Sequence, residues 1–363
     1  MNDNTSTTSA NGTISLNAAT NITTETITTS TDVNLNATTG YIVDRDAGSL
    51  VSAATLSLDA GTYIGTSANH LNTNVANLAS TASNGATYIQ EENAISVNSM
   101  STTDNLVLTT KNGSITTIGT ITATQNILLQ TNDTDSDESF DMTLGANVTS
   151  TSGNITIKSD NDIFQNANIT ATTATKTVEL IALGDITMAN DTLTSVTNSG
   201  NILLNAGENI SLEALNAGSA NISITAGGNL IDTDDIDANN SDIDITATSL
   251  LLNITGAIAT ATNHIETNIT TLSAKANGVY ITETNGVSVD SVTVNVNSVN
   301  TQGATELTTH AAQEFLESNE KLVLVTNTGD INITSGATVS STNNTLLQAL
   351  VASYLIFSAV VVL

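Results

Sequence analysis

A repeat with a period of about 20 residues runs through the middle of this chain and decides its fold class. Ile202, Ile222 and Ile243 recur at that interval, and so do Ile210, Leu230 and Leu250. Around them apolar and polar residues alternate, as in Asn221-Ile222-Ser223-Ile224 and Ser241-Asp242-Ile243-Asp244-Ile245. That is the period of a strand, where successive side chains turn to opposite faces, and not the period of a helix. A fixed long period built from strands describes a solenoid, one coil per repeat. Two short strands per coil, separated by Gly, Asn and Asp, predict an all-β, single-stranded parallel β-helix of about 20 residues per coil. The step from Ile155 to Ile163 recurs from Val178 to Ile186 and from Ile202 to Ile210, which predicts one shared cross-section.

Composition matters for what it removes. Proline is 0, and proline would interrupt a ladder paired on both edges. Aromatics are 2% and Trp is 0, which fits a narrow tube filled by Ile, Val, Leu and Ala. Abundant Thr, Asn, Ser and Gly alone would read as disorder, but a 39% hydrophobic fraction with evenly spaced aliphatics argues against it. The net charge is −29, with only Arg45, Lys111, Lys158, Lys176, Lys275 and Lys321 positive. Phosphate would be repelled, so nucleic acid is excluded as a partner and anionic membrane surfaces are disfavoured. With Cys at 0 there is no disulfide framework, thiol nucleophile or thiolate zinc site. The opening Met1-Asn2-Asp3-Asn4-Thr5 has neither the basic nor the apolar region of a signal peptide, and the expectation is an internal piece of a longer product.

Residues 1–345 are expected to form the solenoid. A longer repeat overlies the short one. Ile64-Gly65-Thr66-Ser67-Ala68-Asn69-His70-Leu71 returns as Ile258-Ala259-Thr260-Ala261-Thr262-Asn263-His264-Ile265, and Tyr88-Ile89-Gln90-Glu91 as Tyr280-Ile281-Thr282-Glu283. Leu106-Val107-Leu108 returns as Leu322-Val323-Leu324, and Leu128-Leu129-Gln130 as Leu346-Leu347-Gln348. The duplicated unit lies near 56–131 and again near 250–348. The second copy carries an insertion over 304–320 whose spacing, with His310, Ala311, Ala312, Phe315 and Leu316, reads as helical. Residues 346–363 form an apolar tail at the lower length limit for a membrane span. Three readings of the tail stay open: a C-terminal anchor, the product of an altered reading frame at the gene end, or a buried final strand.

Among groups that carry chemistry, Asp133, Asp135 and Asp137 alternate as the carboxylates of calcium loops do. Glu138 stands where such a loop needs glycine, so a solvated acidic loop is the competing reading. Asp232, Asp234, Asp235, Asp237, Asp242 and Asp244 form a second acidic patch open to the same two readings. No cofactor other than calcium is expected. His70 and His264 hold equivalent places in the long repeat, which points to a role in the fold. Three histidines without cysteine give no zinc spacing, and no nucleophile elbow, P-loop or dinucleotide fingerprint occurs. Thr-rich runs such as Thr120-Ile121-Thr122-Ala123-Thr124 are too irregular for a flat ice-binding ladder and read as β-branched strand residues.

The rows Ser199-Gly200-Asn201-Ile202 to Leu212 and Ser219 to Leu230, with the stretch Ile64 to Val97 and its echo Ile258 to Val289, resemble the repeats of filamentous haemagglutinin-like exoproteins. Those are large bacterial surface adhesins exported by two-partner secretion. The resemblance covers most of residues 12–345. It implies a right-handed parallel β-helix at the cell surface or secreted, partners among host-cell, glycan or matrix ligands, and an outer-membrane transporter as the export partner. The N-terminal secretion domain of that family has no counterpart in this sequence. The expected function is therefore a non-enzymatic adhesin stalk, as part of a larger product. A carbohydrate-active β-helix enzyme working with paired carboxylates competes with it, as does a calcium-stiffened surface scaffold.

Overall fold

The computed structural model of the chain describes residues 6–134, 140–197, 199–233, 242–350 and 356–357. No helix occurs among them; every regular element is a strand. Through the middle of the chain, strands pair in parallel with the strand three places further along. Val178–Ala182 pairs with Ile202–Ala206 and that with Asn221–Ala226. Ile186–Met188 pairs with Ile210–Leu212 and that with Leu230–Asp232. Leu193–Val196 pairs with Ala214–Asn216 and that with Ile245–Thr246. Three strands therefore make one turn, and among the described residues each part of the chain is an all-β parallel β-solenoid with about 22 residues per turn. The β-helix read from the sequence is present, with a third strand per coil that periodicity did not resolve. Ala214–Asn216 sends one aliphatic, Leu215, inward, too little to show a period.

The period is also uneven. Ile202 stacks on Ile222, but Ile222 stacks on Leu250, and Leu230 stacks on Ile258. Ile243, third member of the expected row, is 37% exposed. More residues separate Leu230 from Ile258 than separate Ile210 from Leu230, and the even spacing of Ile243 is coincidental. Inside, Ile202, Leu204 and Ala206 lie on Ile222, Ile224 and Ala226, and those on Leu250, Leu252 and Ile254, all buried. One coil has no second layer to bury these side chains against; its neighbours supply it. Corner side chains stitch the coils: Asp185 Oδ1 accepts the Asn209 N–H (2.7 Å), Asn209 Oδ1 the Asn229 N–H (2.9 Å), and Asn229 Oδ1 the Ala257 N–H (2.9 Å). This explains much of the Asn in the composition.

The chain divides into two compact units, Met1–Thr172 with Ser298–Glu306, and Thr173–Asn297 with Leu307–Leu363. The insertion in the second copy is not helical. Val292–Val299 and Thr305–Gln313 form a two-stranded sheet of their own. Its turn is closed by the Asn300 N–H to Ala304 O (2.9 Å) and the Gly303 N–H to Asn300 O (2.8 Å). Phe315–Ser318 then rejoins the solenoid beside Thr271–Ala276. The helical spacing arose because His310, Ala311 and Ala312 belong to the hairpin, whereas Phe315 and Leu316 belong to the next solenoid strand. Of the apolar tail, Thr345–Ala349 is a strand on Leu322–Thr326, and Ile356–Phe357 pairs beside Ile331–Ile333. Residues 351–355 and 358–363 lie outside the described residues. Among the described residues no helix is long and apolar enough to cross a membrane.

The duplication reaches the backbone. Gly65 has φ +60°, and a Cβ there would stand 2.1 Å from the Tyr88 carbonyl oxygen, so only glycine fits. Its counterpart Ala259 keeps the same left-handed conformation, φ 56°, with a side chain, at a cost of roughly 1–2 kcal/mol. Glycine loses about 0.4–1 kcal/mol through the entropy of the unfolded chain. Ala259→Gly is therefore expected to raise stability by up to about 1 kcal/mol in denaturant unfolding. A clear loss would show that the Ala259 methyl packs more favourably than its backbone is strained.

Candidate functional site

Alternation should leave every second residue of a strand facing solvent, and in one ladder it does not. Leu106-Val107-Leu108 and Ile127-Leu128-Leu129 are apolar without a break. In the first unit the outward residues Tyr88, Val107 and Leu128 stack in register and are 7%, 0% and 0% exposed. The cover is the hairpin tip, Ser298–Glu306. Val299 joins the three in a cluster separate from the solenoid interior. Polar anchors surround it. Thr156 Oγ1 accepts the Val299 N–H (2.8 Å), Tyr88 Oη donates to Gln302 O (3.2 Å), and Asn126 Nδ2 donates to Gly303 O (3.0 Å). His70 Nε2 lies 3.0 Å from Thr301 O and acts as an N–H donor there. Burial lowers the His70 pKa, which keeps the ring neutral. Gly303 has φ +73°, and a Cβ on it would stand 2.8 Å from Tyr88 Oη.

In the second unit the arms of the hairpin seat in the same manner. Leu251 packs with Val292 and Val294. Asn201 Nδ2 donates to Asn295 O (2.7 Å), the Asn297 N–H to Thr177 Oγ1 (3.0 Å), and Gln313 Nε2 to Leu252 O (3.2 Å). His310 Nδ1 lies 3.0 Å from Ser223 Oγ. Burial lowers the His310 pKa, and the Glu179 charge acts against that. Serine, histidine and a carboxylate are the parts of an acyl-transfer site. Ser223 is only 1% exposed, however, so a substrate carbonyl has no path to its Oγ. The pair is a part-buried polar contact between the hairpin and the strand Asn221–Ala226.

Buried carboxylates form a second set of features. Glu91, 0% exposed, accepts from Thr73 Oγ1 (2.6 Å) and from the Val75 (3.1 Å) and Asn93 (3.2 Å) amides. Glu283 repeats this with Thr267 Oγ1 (2.5 Å) and the Ile269 (3.1 Å) and Asn285 (3.0 Å) amides. Burial pushes Glu91 up to about 7 and raises Glu283, with the donors pulling the other way. Both are clamps that close a corner of a coil. Asp44, raised by burial to about 6, is held by Thr24 Oγ1 (2.9 Å) and by the Asn72 amide N–H (2.7 Å) and Nδ2 (2.8 Å).

The equivalent place in the second unit has different chemistry. Asn263 Nδ2 bonds Asp232 O as Asn69 Nδ2 bonds Asp44 O. Leu212 stands opposite Asp232 where Thr24 stands opposite Asp44, and Glu266 replaces Asn72. The donors of the first unit are thus exchanged for a leucine and a carboxylate, and Asp244 adds a third acid. Carboxylate oxygens of Asp232, Asp244 and Glu266 lie within 4.8 Å of one another, the two aspartates buried and Glu266 half-buried. Glu266 also ties its N–H to Asp244 Oδ2 (2.7 Å). Clustered hard oxygens of this kind suit a divalent cation such as calcium. Calcium binding there would raise the melting temperature by mass action, and Asp232→Asn would shrink that shift. An identical melt with calcium and with chelator would remove the site from consideration.

Of the residues read as calcium ligands, Asp133 forms an isolated bridge with Asn112, while Asp135 and Asp137 lie outside the described residues, as do Asp234, Asp235 and Asp237. Asp242 is exposed. From the second patch the structure brings together Asp232 and Asp244. Sequence reading missed Glu266; the signal was its replacement of Asn72 between the two copies. His70 and His264 sit beside Tyr88 and Tyr280, with ring centroids 5.5 Å and 5.9 Å apart. Comparison with protein-family models, with curated proteins and with solved structures returned no match.

Proposed function

We propose that the chain is a non-enzymatic stalk segment of a large bacterial exoprotein, an adhesin of the filamentous haemagglutinin-like kind, displayed on the cell surface or secreted. A β-solenoid scaffold fits a structural repeat protein. The observation that carries the reading is what the solenoid turns outward. Most large side chains go inside or under the hairpin, with Ile118, Leu183 and Leu346 among the exposed exceptions, and the outer positions are mostly short Thr, Asn and Ser with few rings or cations. Sugar-processing clefts usually carry both, which weighs against the enzyme alternative. Such a surface presents many weak contacts to a host-cell, glycan or matrix partner, and multivalency turns them into adhesion. An outer-membrane transporter would export the whole product. The acidic cluster at Asp232, Asp244 and Glu266 favours a second role, stiffening by calcium.

Beads coated densely with the chain are expected to hold host-cell or matrix surfaces on the order of 100-fold more strongly than the soluble monomer does. Equal binding in the two formats, binding in neither, or release of sugar from a polysaccharide by the soluble chain would overturn the proposal.

A further inference from the structure

We infer that Tyr280, Val323 and Leu346 form a second seat for a hairpin tip, open to a partner segment with the chemistry of Ser298–Glu306. The three stack in register on neighbouring coils of the second unit. They repeat Tyr88, Val107 and Leu128 of the first unit: tyrosine, valine, leucine, in the same order. In the first unit the tip buries that row. Here Tyr280 and Val323 are half-buried and Leu346 is 45% exposed. Beside them Val325 is half-buried at the place of Thr109, so the bare strip is more apolar than its covered counterpart.

Three of the four polar anchors, those from His70, Tyr88 and Asn126, are repeated as well. His264 stands by Tyr280 as His70 stands by Tyr88, at nearly the same ring angle, 40° against 38°. His264 Nδ1 is engaged by Thr282 Oγ1 (2.8 Å), and Nε2 is the atom through which His70 meets the tip. Asn344 directly precedes the strand Thr345–Ala349, as Asn126 directly precedes Ile127–Gln130. Three apolar residues and three polar groups thus recur together. In the first unit this set holds two turn carbonyls, a glycine carbonyl and a β-branched aliphatic. The occupant that matches is a β-hairpin with a valine-like residue before a carbonyl-rich, glycine-containing turn. A second copy of this chain would have to lift its own tip from Tyr88 to supply one. The partner is therefore a separate hairpin of the same type, whose tip is not already seated.

The probe is a fluorescent peptide with the sequence Val292–Gln313, closed by a disulfide between cysteines added at its ends, titrated into the full chain. Saturable binding is expected, weakened at least about tenfold by Leu346→Asp and reduced by Asn344→Ala. Leu183→Asp, at an exposed leucine elsewhere, is expected to leave it unchanged. Because the chain has no cysteine, Leu346→Cys can also trap a Val299→Cys peptide (with its ends closed by an amide instead) as a disulfide, which captures weak binding. No saturable binding together with no trapped product overturns the inference, as does binding indifferent to Leu346→Asp. Dimerisation of the chain alone that Leu346→Asp abolishes would overturn the separate-hairpin partner.

Discussion

Val299→Asp is expected to lift the hairpin tip from the first unit and to lower its stability by about 2–4 kcal/mol. The valine is the one aliphatic that the tip places on Tyr88, Val107 and Leu128. Aspartate would bring a charge into that apolar cluster, and unseating the tip is the cheaper outcome. Unseating loses the bonds to His70, Tyr88, Asn126 and Thr156 together, because they depend on one placement of the turn. The parallel ladders beneath do not use the tip and should remain. The measurable pattern is early cleavage near 300–303 in limited proteolysis, new binding of a hydrophobic dye, and retained protection of the Leu106–Thr110 amides in hydrogen exchange. Gly303→Val should act alike, since its side chain meets Tyr88 Oη and its backbone is left-handed. Wild-type proteolysis and melting in both variants would show that the tip carries no stability.

Stability is expected to fall as pH rises from 5 to 8. Glu91 titrates at about 7 in the folded chain against an ordinary 4.5, and Asp44 at about 6 against 3.8. A carboxyl whose folded pKa is raised contributes stability fully below its unfolded pKa and loses it as pH climbs through the folded value. The window is thus about 4 to 7, and Glu91 alone accounts for roughly 3 kcal/mol across it. Protonation also relieves the repulsion of a chain with net charge −29, but that part is screened by salt and the buried part is not. Urea unfolding at high ionic strength should therefore still show the decline, and Glu91→Gln should flatten it. Stability that rises from pH 5 to 8 would mean that the donors from Thr73, Val75 and Asn93 outweigh burial of Glu91, or that His70, His264 and His310, which burial lowers and which therefore add stability as pH rises, outweigh the carboxyls.

The solenoid was legible because its rule is simple: an aliphatic every second position, repeated coil after coil. Ile202 over Ile222 follows that rule and was read correctly. The rest failed where the rule is broken for a reason. Leu106-Val107-Leu108, Ile127-Leu128-Leu129 and Leu250-Leu251-Leu252 lack alternation because both of their faces are covered, and that run of three was the available sign of the hairpin. The strand Val292–Val299 alternates as a coil strand would, so nothing local marked it as leaving the solenoid. The acidic cluster was half legible. Asp232 and Asp244 stand in an obvious acidic stretch, but Glu266 reaches them only because one coil stacks on the next.

The hairpin tip also sets an order of events. Tyr88 meets Gln302 across 214 residues of chain, whereas Ile202 meets Ile222 on the next coil. Coils can zip up one after another as the chain is made. The row at Tyr88 cannot be covered until the turn at 303 has emerged, roughly 10–40 s later at ordinary synthesis rates of about 5–20 residues per second. For that interval the nascent chain carries a finished, sticky, solvent-facing stripe, and closing it is the last step of maturation for the first unit.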